Sequence, residues 1–315
     1  MKKLVVCIFS ITIFSLFTVH SEISAEELNT TEEMIAFIEE QPGTMSFYYE
    51  NINTGYKMYY NPEKVYGAAS TVKMPMALYV MEQAAKGNVD LNEVKAYEGR
   101  HYSGGTGIIQ YEDVGSEYTI KEIVENAMIH SDNVAYIMLL DRFGRGNLID
   151  FMHELGGKYA YPDMQNVTTA KDMGMYSKAL YEFSNEEELG AELVEILKNT
   201  EFNDAIPAGV PDLEVAHKIG YITNQLLFND VGIVYDEDPY VLAVTTKGIP
   251  FDDQRETVAE LTSIIHEEHE KVVMENFLDN IFNTLTGEGE EEGITDWYPI
   301  VKSFSNFGRI TPLLF

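Results

Sequence analysis

Ser70-Thr71-Val72-Lys73-Met74-Pro75-Met76-Ala77-Leu78-Tyr79-Val80 sets a hydroxyl three residues before an amine at the head of an apolar run. From Thr71 to Ala85 the residues Val72, Met76, Tyr79 and Val80 recur at steps of three and four, the spacing of one helical face. Ser70 therefore sits where a helix begins. Residues i and i+3 share a face, which brings the Lys73 amine beside the Ser70 hydroxyl. The first-turn backbone N–H groups then point at whatever Ser70 attacks. About one Ser-x-x-Lys pair arises by chance in a chain this long at average residue usage, so the helix start is what gives this pair its meaning.

On the N-terminal side, two runs rich in Tyr, Phe and Ile between Met45 and Tyr60 flank Asn53-Thr54-Gly55, the pattern of a β-hairpin at a sheet edge. On the C-terminal side, Thr119-Ile120-Lys121-Glu122 is a capping box that opens a helix from Ile120 to about Ile129. Ser131-Asp132-Asn133 interrupts it with three residues that prefer turns and caps. A second apolar helix follows from Val134 to about Arg142, then helices near 146–155, 169–183 and 185–198. Next come strands at Val215–Tyr221, Val231–Tyr235 and Tyr240–Thr246, separated by turn-prone Asn229-Asp230 and Asp236-Glu237-Asp238-Pro239. Short connections imply antiparallel pairing. A closing helix is expected from about Asp252 to Asn276. Strands at both ends thus enclose a helical middle. The expected fold is α+β: an antiparallel sheet flanked by helices, with an all-helical domain inserted at about 70–210 and a cleft between them.

Two further elements join Ser70 and Lys73. One is the Ser131-Asp132-Asn133 tripeptide; the other is Lys218-Ile219-Gly220, in which a cation on a strand precedes a glycine that lets a ligand approach the backbone. Singly, each has an ordinary explanation: a helix cap for Ser70, a surface amine for Lys73, an inter-helix cap for Ser131, a strand-edge charge for Lys218. Together and in this order they resemble the penicillin-recognising serine enzymes, in particular the class A β-lactamase family. The resemblance covers roughly Met45 to Lys271, and Thr168-Thr169-Ala170-Lys171-Asp172-Met173 looks like the family's segment after its omega loop.

The resemblance implies that Ser70 is acylated by a β-lactam or a D-alanyl-D-alanine peptide and that Lys73 takes its proton. It implies that Ser131 relays a proton to the leaving nitrogen, that Asn133 holds the substrate amide, and that Lys218 attracts the substrate carboxylate. The backbone N–H groups of Ser70 and Tyr221, beside Gly220, would form the oxyanion hole. A free lysine titrates near ~10.4 and is a poor base at neutral pH. Lys73 therefore needs burial and a cationic neighbour, for which Lys218 is the candidate.

Two departures from the family pattern matter. The stretch between Gly156 and Thr168 is short and carries no glutamate to activate a deacylating water; Asp163 is its only carboxylate. Ile219 stands where the family has Thr or Ser, so a hydroxyl that helps bind the substrate carboxylate is missing. Three readings stay open: an exported class A-type hydrolase acting on β-lactams through an acyl-enzyme, a cell-wall D,D-peptidase, and a lactam- or peptidoglycan-binding protein without turnover.

Composition bounds the rest. Lys2 and Lys3 precede an apolar run from Leu4 to Val19, and Ile23 and Ala25 suit signal cleavage, so residues 1–25 read as a signal peptide and the chain as secreted or held at the cell envelope. Membrane contact is expected only through an uncleaved signal. The sole cysteine, Cys7, lies inside that run, leaving residues 26–276 to fold on a packed core without disulfides. A net charge of -31, with 52 acidic residues against 21 basic ones, argues against nucleic acid as a partner. Residues 277–315 read as an acidic linker and tail. His266 and His269 are three apart, not the four of a zinc-protease helix. Asp230, Asp236 and Asp238 lack the calcium-loop pattern and read as turn residues. A monomer needing no metal or cofactor is expected.

Overall fold

The computed structural model of the chain describes residues 28–286; the expected signal segment, Cys7 and the tail from 287 lie outside them. In chain order the elements are β1 (Leu28–Asn29), α1 (Glu32–Glu40), β2 (Thr44–Asn51), β3 (Lys57–Tyr60), β4 (Tyr66–Gly67), a 3₁₀ turn (Ala69–Val72) and α2 (Lys73–Ala85). β5 (Val94–Ala96), β6 (Glu117–Thr119), α3 (Ile120–Ile129), α4 (Asn133–Phe143), α5 (Arg145–Glu154), β7 (Val167–Thr168), α6 (Ala170–Glu186) and α7 (Glu188–Lys198) follow. The chain then runs through α8 (Ile206–Gly209), β8 (Glu214–Ile222), β9 (Leu227–Tyr235), β10 (Tyr240–Lys247) and α9 (Gln254–Thr286). No described helix is long and apolar enough to cross a membrane.

The main sheet is antiparallel with the order β1-β3-β2-β10-β9-β8, so strands from both ends of the sequence form one layer. The hairpin of residues 45–60 does not form the edge: β2 is interior and β3 is covered by β1. The sequence shows no separate signal for a strand as short as Leu28–Asn29. α6 crosses the sheet and approaches it closely at Gly174, where a Cβ would lie 2.3 Å from the Tyr48 ring. α2 is the axis of the helical part, with Met74, Met76, Ala77, Leu78, Val80 and Met81 all excluded from solvent. Burial on every side explains why its periodicity in the sequence is broad rather than a narrow stripe.

The capping box at α3 is present as expected: Thr119 Oγ1 accepts from the Glu122 N–H at 3.2 Å and the Glu122 carboxylate accepts from the Thr119 N–H at 2.7 Å. Two expectations need correction. Asn229-Asp230 is not a turn but the interior of β9, with both side chains buried. Each is tied to backbone there, Asn229 Nδ2 donating to the Gly67 carbonyl at 2.8 Å and Asp230 accepting from the Ile206 N–H at 3.0 Å. The turn lies earlier, at Thr223–Gln225, closed by Leu226 in the left-handed region. α9 runs past Asn276 because no glycine or proline interrupts it before Gly287. The chain divides into two compact units, Met1–Leu261 and Thr262–Phe315. The first holds the sheet, the helical domain and every residue discussed below; the described residues of the second, 262–286, are all helical.

Candidate active site

Ser70 is delivered by a strained and heavily braced turn. β4 pairs with β7 at Tyr66↔Thr168 and Gly67↔Val167, and the chain then enters the 3₁₀ turn with Ala69 at φ 50°, in the left-handed region where a Cβ is disfavoured. Such a residue costs on the order of 1–3 kcal/mol and persists only when its surroundings hold it. Three bonds do so. Thr71 Oγ1 donates to the Ala68 carbonyl at 2.7 Å, Asn166 Nδ2 to the Ala69 carbonyl at 3.0 Å, and Asn229 Nδ2 to the carbonyls of Gly67 and Ala68. The result is a half-buried serine whose hydroxyl remains reachable.

Lys73, at the first position of α2, is 2% exposed and thus no surface amine. Its Nζ donates to the Ser131 carbonyl at 2.5 Å and to Asn133 Oδ1 at 2.7 Å, and lies 3.1 Å from Ser70 Oγ and 3.3 Å from Ser131 Oγ. The two shortest contacts use two N–H bonds. A neutral amine has two, so its lone pair is left for Ser70 Oγ. Burial first, and the Lys218 cation second, hold the Lys73 amine well below the ordinary lysine range, against an opposing pull from Asp132. The expectation of a depressed base beside the serine therefore has a physical cause.

Lys218, on β8, is completely buried, and desolvation lowers it to about 7, opposed by Asp230. Its Nζ donates to Ser131 Oγ at 2.9 Å and to the Ile219 carbonyl at 3.1 Å. Ser131 Oγ thus lies between two amines. It accepts from Lys218, and with both Lys73 N–H bonds used elsewhere its own proton is free to point into the cleft.

Ser131 takes φ 51°, a second left-handed non-glycine residue at the site. Asp132, fully buried, explains how it is held: Oδ1 caps α4 by accepting from the Ala135 N–H at 2.9 Å, while Oδ2 accepts from the N–H groups of Ile108 at 2.6 Å and Ile109 at 2.8 Å. The loop 104–109 is thereby pulled onto the site. Thr106 Oγ1 donates to the Ser131 carbonyl at 2.7 Å, and Asn133 Nδ2 donates to the Gly104 carbonyl at 2.9 Å. At Gly107 a Cβ would lie 2.3 Å from Asp132 Cγ, so only glycine fits.

On the opposite wall, a Cβ at Gly220 would stand 2.7 Å from the Ser70 nitrogen and 2.8 Å from the Ala68 oxygen and the Thr71 nitrogen. Glycine is thus what lets β8 close on the nucleophile turn. Tyr221, half-buried, follows on this outermost strand, its ring 6.0 Å from that of Phe251. Ile219 is 1% exposed. The short loop 156–168 is fixed at one end by Asp172, which accepts from the N–H groups of Lys158 at 3.1 Å and Tyr159 at 2.8 Å. At the other end it is fixed by Asn166. Asp163 in this loop is exposed.

Ser70, Lys73, Ser131, Asn133 and Lys218 form one connected hydrogen-bond network, with Gly220 packed against the Ser70 nitrogen. Sequence reasoning had no role for Asp132 beyond its place in the tripeptide, for Asn166, for Asn229 or for the loop 104–109. The Gly104-Gly105-Thr106-Gly107 run was the available signal for a close backbone approach. His217, on the strand face away from Lys218, has its Nδ1 2.7 Å from Asp230 Oδ1 and its Nε2 3.2 Å from Asn203 Oδ1.

A family model described as the beta-lactamase enzyme family matches residues 29–269. A beta-lactamase of Bacillus licheniformis is 28% identical over 269 residues, covering 76% of this chain and 85% of that protein. Among solved structures, PBP-A aligns with a TM-score of 0.70 at 24% identity, over 76% of this chain and 95% of its own. A mutant of PBP-A described as an acyl-enzyme complex with penicillin G gives 0.69 at 26%, with the same coverage. An ancestral class A beta-lactamase gives 0.66 at 20%, over 75% and 98%; at that identity the likeness is one of fold.

Proposed function

The chain belongs to the beta-lactamase enzyme family and is a hydrolase of beta-lactamase type; from that premise we propose that it is an exported serine hydrolase that forms an acyl-enzyme on Ser70 with β-lactams. The observation that carries the reading is the Lys73 amine, buried, depressed and 3.1 Å from Ser70 Oγ. In the proposed reaction the Ser70 proton moves to Lys73 Nζ as Oγ attacks the lactam carbonyl. The developing oxyanion is met by the N–H groups of Ser70 and Tyr221. The lactam C–N bond then breaks and its nitrogen takes the Ser131 proton, which Lys73 replaces. Lys218 attracts the substrate carboxylate and Asn133 holds the acyl-side amide. No metal or cofactor is required by any step.

One observation favours a second reading, a D,D-peptidase whose lactam adduct persists. The loop 156–168 offers no glutamate for water activation, and its one carboxylate, Asp163, is exposed. PBP-A, captured as a penicillin acyl-enzyme in mutant form, is a relative consistent with that alternative. Following purified protein with a chromogenic lactam by absorbance and intact mass separates them. Steady turnover supports the lactamase; a single burst with a lasting adduct on Ser70 supports the peptidase; no adduct on folded protein removes both.

A further inference from the structure

β8 is the last strand of the main sheet among the described residues, with β9 as its neighbour, and it ends at Ile222. Successive residues on it face opposite sides of the sheet. Lys218 and Gly220 face the nucleophile, the first through Ser131 Oγ and the second through its approach to the Ser70 nitrogen. Tyr221 therefore turns its ring to the back of the strand, where it shares a face with Phe228, its partner on β9. One residue from a strand end, and held by one neighbouring strand, Tyr221 sits where a sheet opens most readily.

Arg255, in the first turn of α9, closes on that ring from behind. Its guanidinium carbon lies 5.7 Å from the ring centroid of Tyr221, 5.2 Å from that of Phe228 and 5.0 Å from that of Phe251. All three distances are within the range in which a cation is attracted to a ring face. Nε is 2.9 Å from Asp204 Oδ2, so the guanidinium is also fixed from the segment 203–204, whose Asn203 reaches His217 on the same back face. The base of the clamp is fastened too. Gln254 Nε2 donates to the Ile249 carbonyl at 3.0 Å, and the Gly248 N–H donates to the Leu226 carbonyl at 2.8 Å, between β8 and β9. The stability of α9 does not account for this arginine, since a cation in the first turn opposes the helix dipole.

We propose that Arg255 is a positioning residue for the oxyanion site: by clamping the Tyr221 ring at the back of β8, it holds the Tyr221 backbone N–H in place beside that of Ser70. This rests on the reading that these two N–H groups meet the oxyanion formed when Ser70 is acylated. Arg255 acts through Tyr221 rather than on the substrate. Donors stabilise a developing charge to the extent that they are already aimed at it, so a loosened Tyr221 weakens that stabilisation. The loss falls on the acylation step, where the oxyanion exists, and not on the binding that precedes it.

Stopped-flow acylation by penicillin G separates the binding constant of the first complex from the acylation rate constant, and phenylboronic acid reads the oxyanion site without a substrate carboxylate. When Ser70 Oγ adds to its boron, the hydroxyl proton passes to Lys73 and the boron becomes a tetrahedral anion, with an oxygen where the lactam oxyanion forms. Arg255→Met should slow acylation and weaken phenylboronic acid alike, each about tenfold, with penicillin G binding within about twofold of wild type. Arg255→Lys, which keeps a cation among the rings, should recover both to within about threefold. Phe251→Leu removes one ring and leaves the charge, and should lower the same two quantities together by a smaller factor. Acylation at the wild-type rate in Arg255→Met, or in Phe251→Leu should the first not fold, overturns the inference and leaves the acyl-enzyme reading standing. A loss confined to penicillin G binding also overturns it, since Arg255 would then be a charge that attracts the substrate. Equal losses in Arg255→Met and Arg255→Lys do the same, marking a side chain needed only for its shape. If the wild-type protein takes neither probe, the acyl-enzyme reading and the inference fall together.

Discussion

Replacing Lys218 by Met should make the protein more stable and less active. The ammonium of Lys218 is wholly buried, donating to Ser131 Oγ and the Ile219 carbonyl, with the Phe202 ring centroid 5.8 Å away. Burial holds it at about 7, whereas in the unfolded chain it returns to ~10.4. At about 1.4 kcal/mol for each tenfold in proton affinity, this gap costs the folded state on the order of 4–5 kcal/mol when the lysine is charged. Methionine fills a similar volume without charge but forgoes two hydrogen bonds worth about 1 kcal/mol each. The expected net gain is roughly 2–3 kcal/mol, or about 5–10 °C in Tm. The pH dependence carries the sign. Below about 7 both states of the wild-type lysine are protonated and the cost is present in full. Between about 7 and ~10.4 the unfolded chain holds a proton that the folded one has lost, so wild-type stability rises with pH and the advantage of the variant shrinks. Urea unfolding of both proteins at pH 6, 7.5 and 9 measures this. A variant no more stable than wild type at pH 6, or a gain that grows with pH, would refute the reasoning.

Acylation should fall on the acid side as Lys73 is protonated, and for carboxylate-bearing lactams also above about pH 7 as Lys218 loses its proton. A lactam ester should lose the alkaline limb, and stopped-flow acylation rates across pH 5–9 check both. Gly220→Ala must open contacts of 2.7–2.8 Å to three backbone atoms by more than half an ångström. It should slow acylation on the order of 100-fold and cost about 1–3 kcal/mol, read by single-turnover kinetics and denaturation. Asp132→Ala removes three backbone hydrogen bonds. A loss of roughly 3 kcal/mol is expected, with faster proteolytic cutting near residues 104–109.

The helices were legible because their signals are local. Thr119 and Glu122 announce α3, and the steps of three and four after Ser70 announce α2. Local polarity misled at Asn229-Asp230, where two turn-forming residues sit inside a strand and hydrogen-bond to distant backbone groups. The gathering of Ser70, Lys73, Ser131 and Lys218 came from recognising a motif order, not from spacing alone. No pattern in the sequence reveals that Ala69 and Ser131 take left-handed backbone angles, or that Asp132 pins a loop over twenty residues upstream. Those depend on contacts between segments far apart in the chain.

The most direct measurement is digestion and mass analysis after a brief exposure to penicillin G. The account predicts one ring-opened lactam on the peptide that contains Ser70, absent from Ser70→Ala and from a folded Lys73→Ala. An adduct that survives Ser70→Ala, or undiminished acylation in Lys73→Ala, would contradict it.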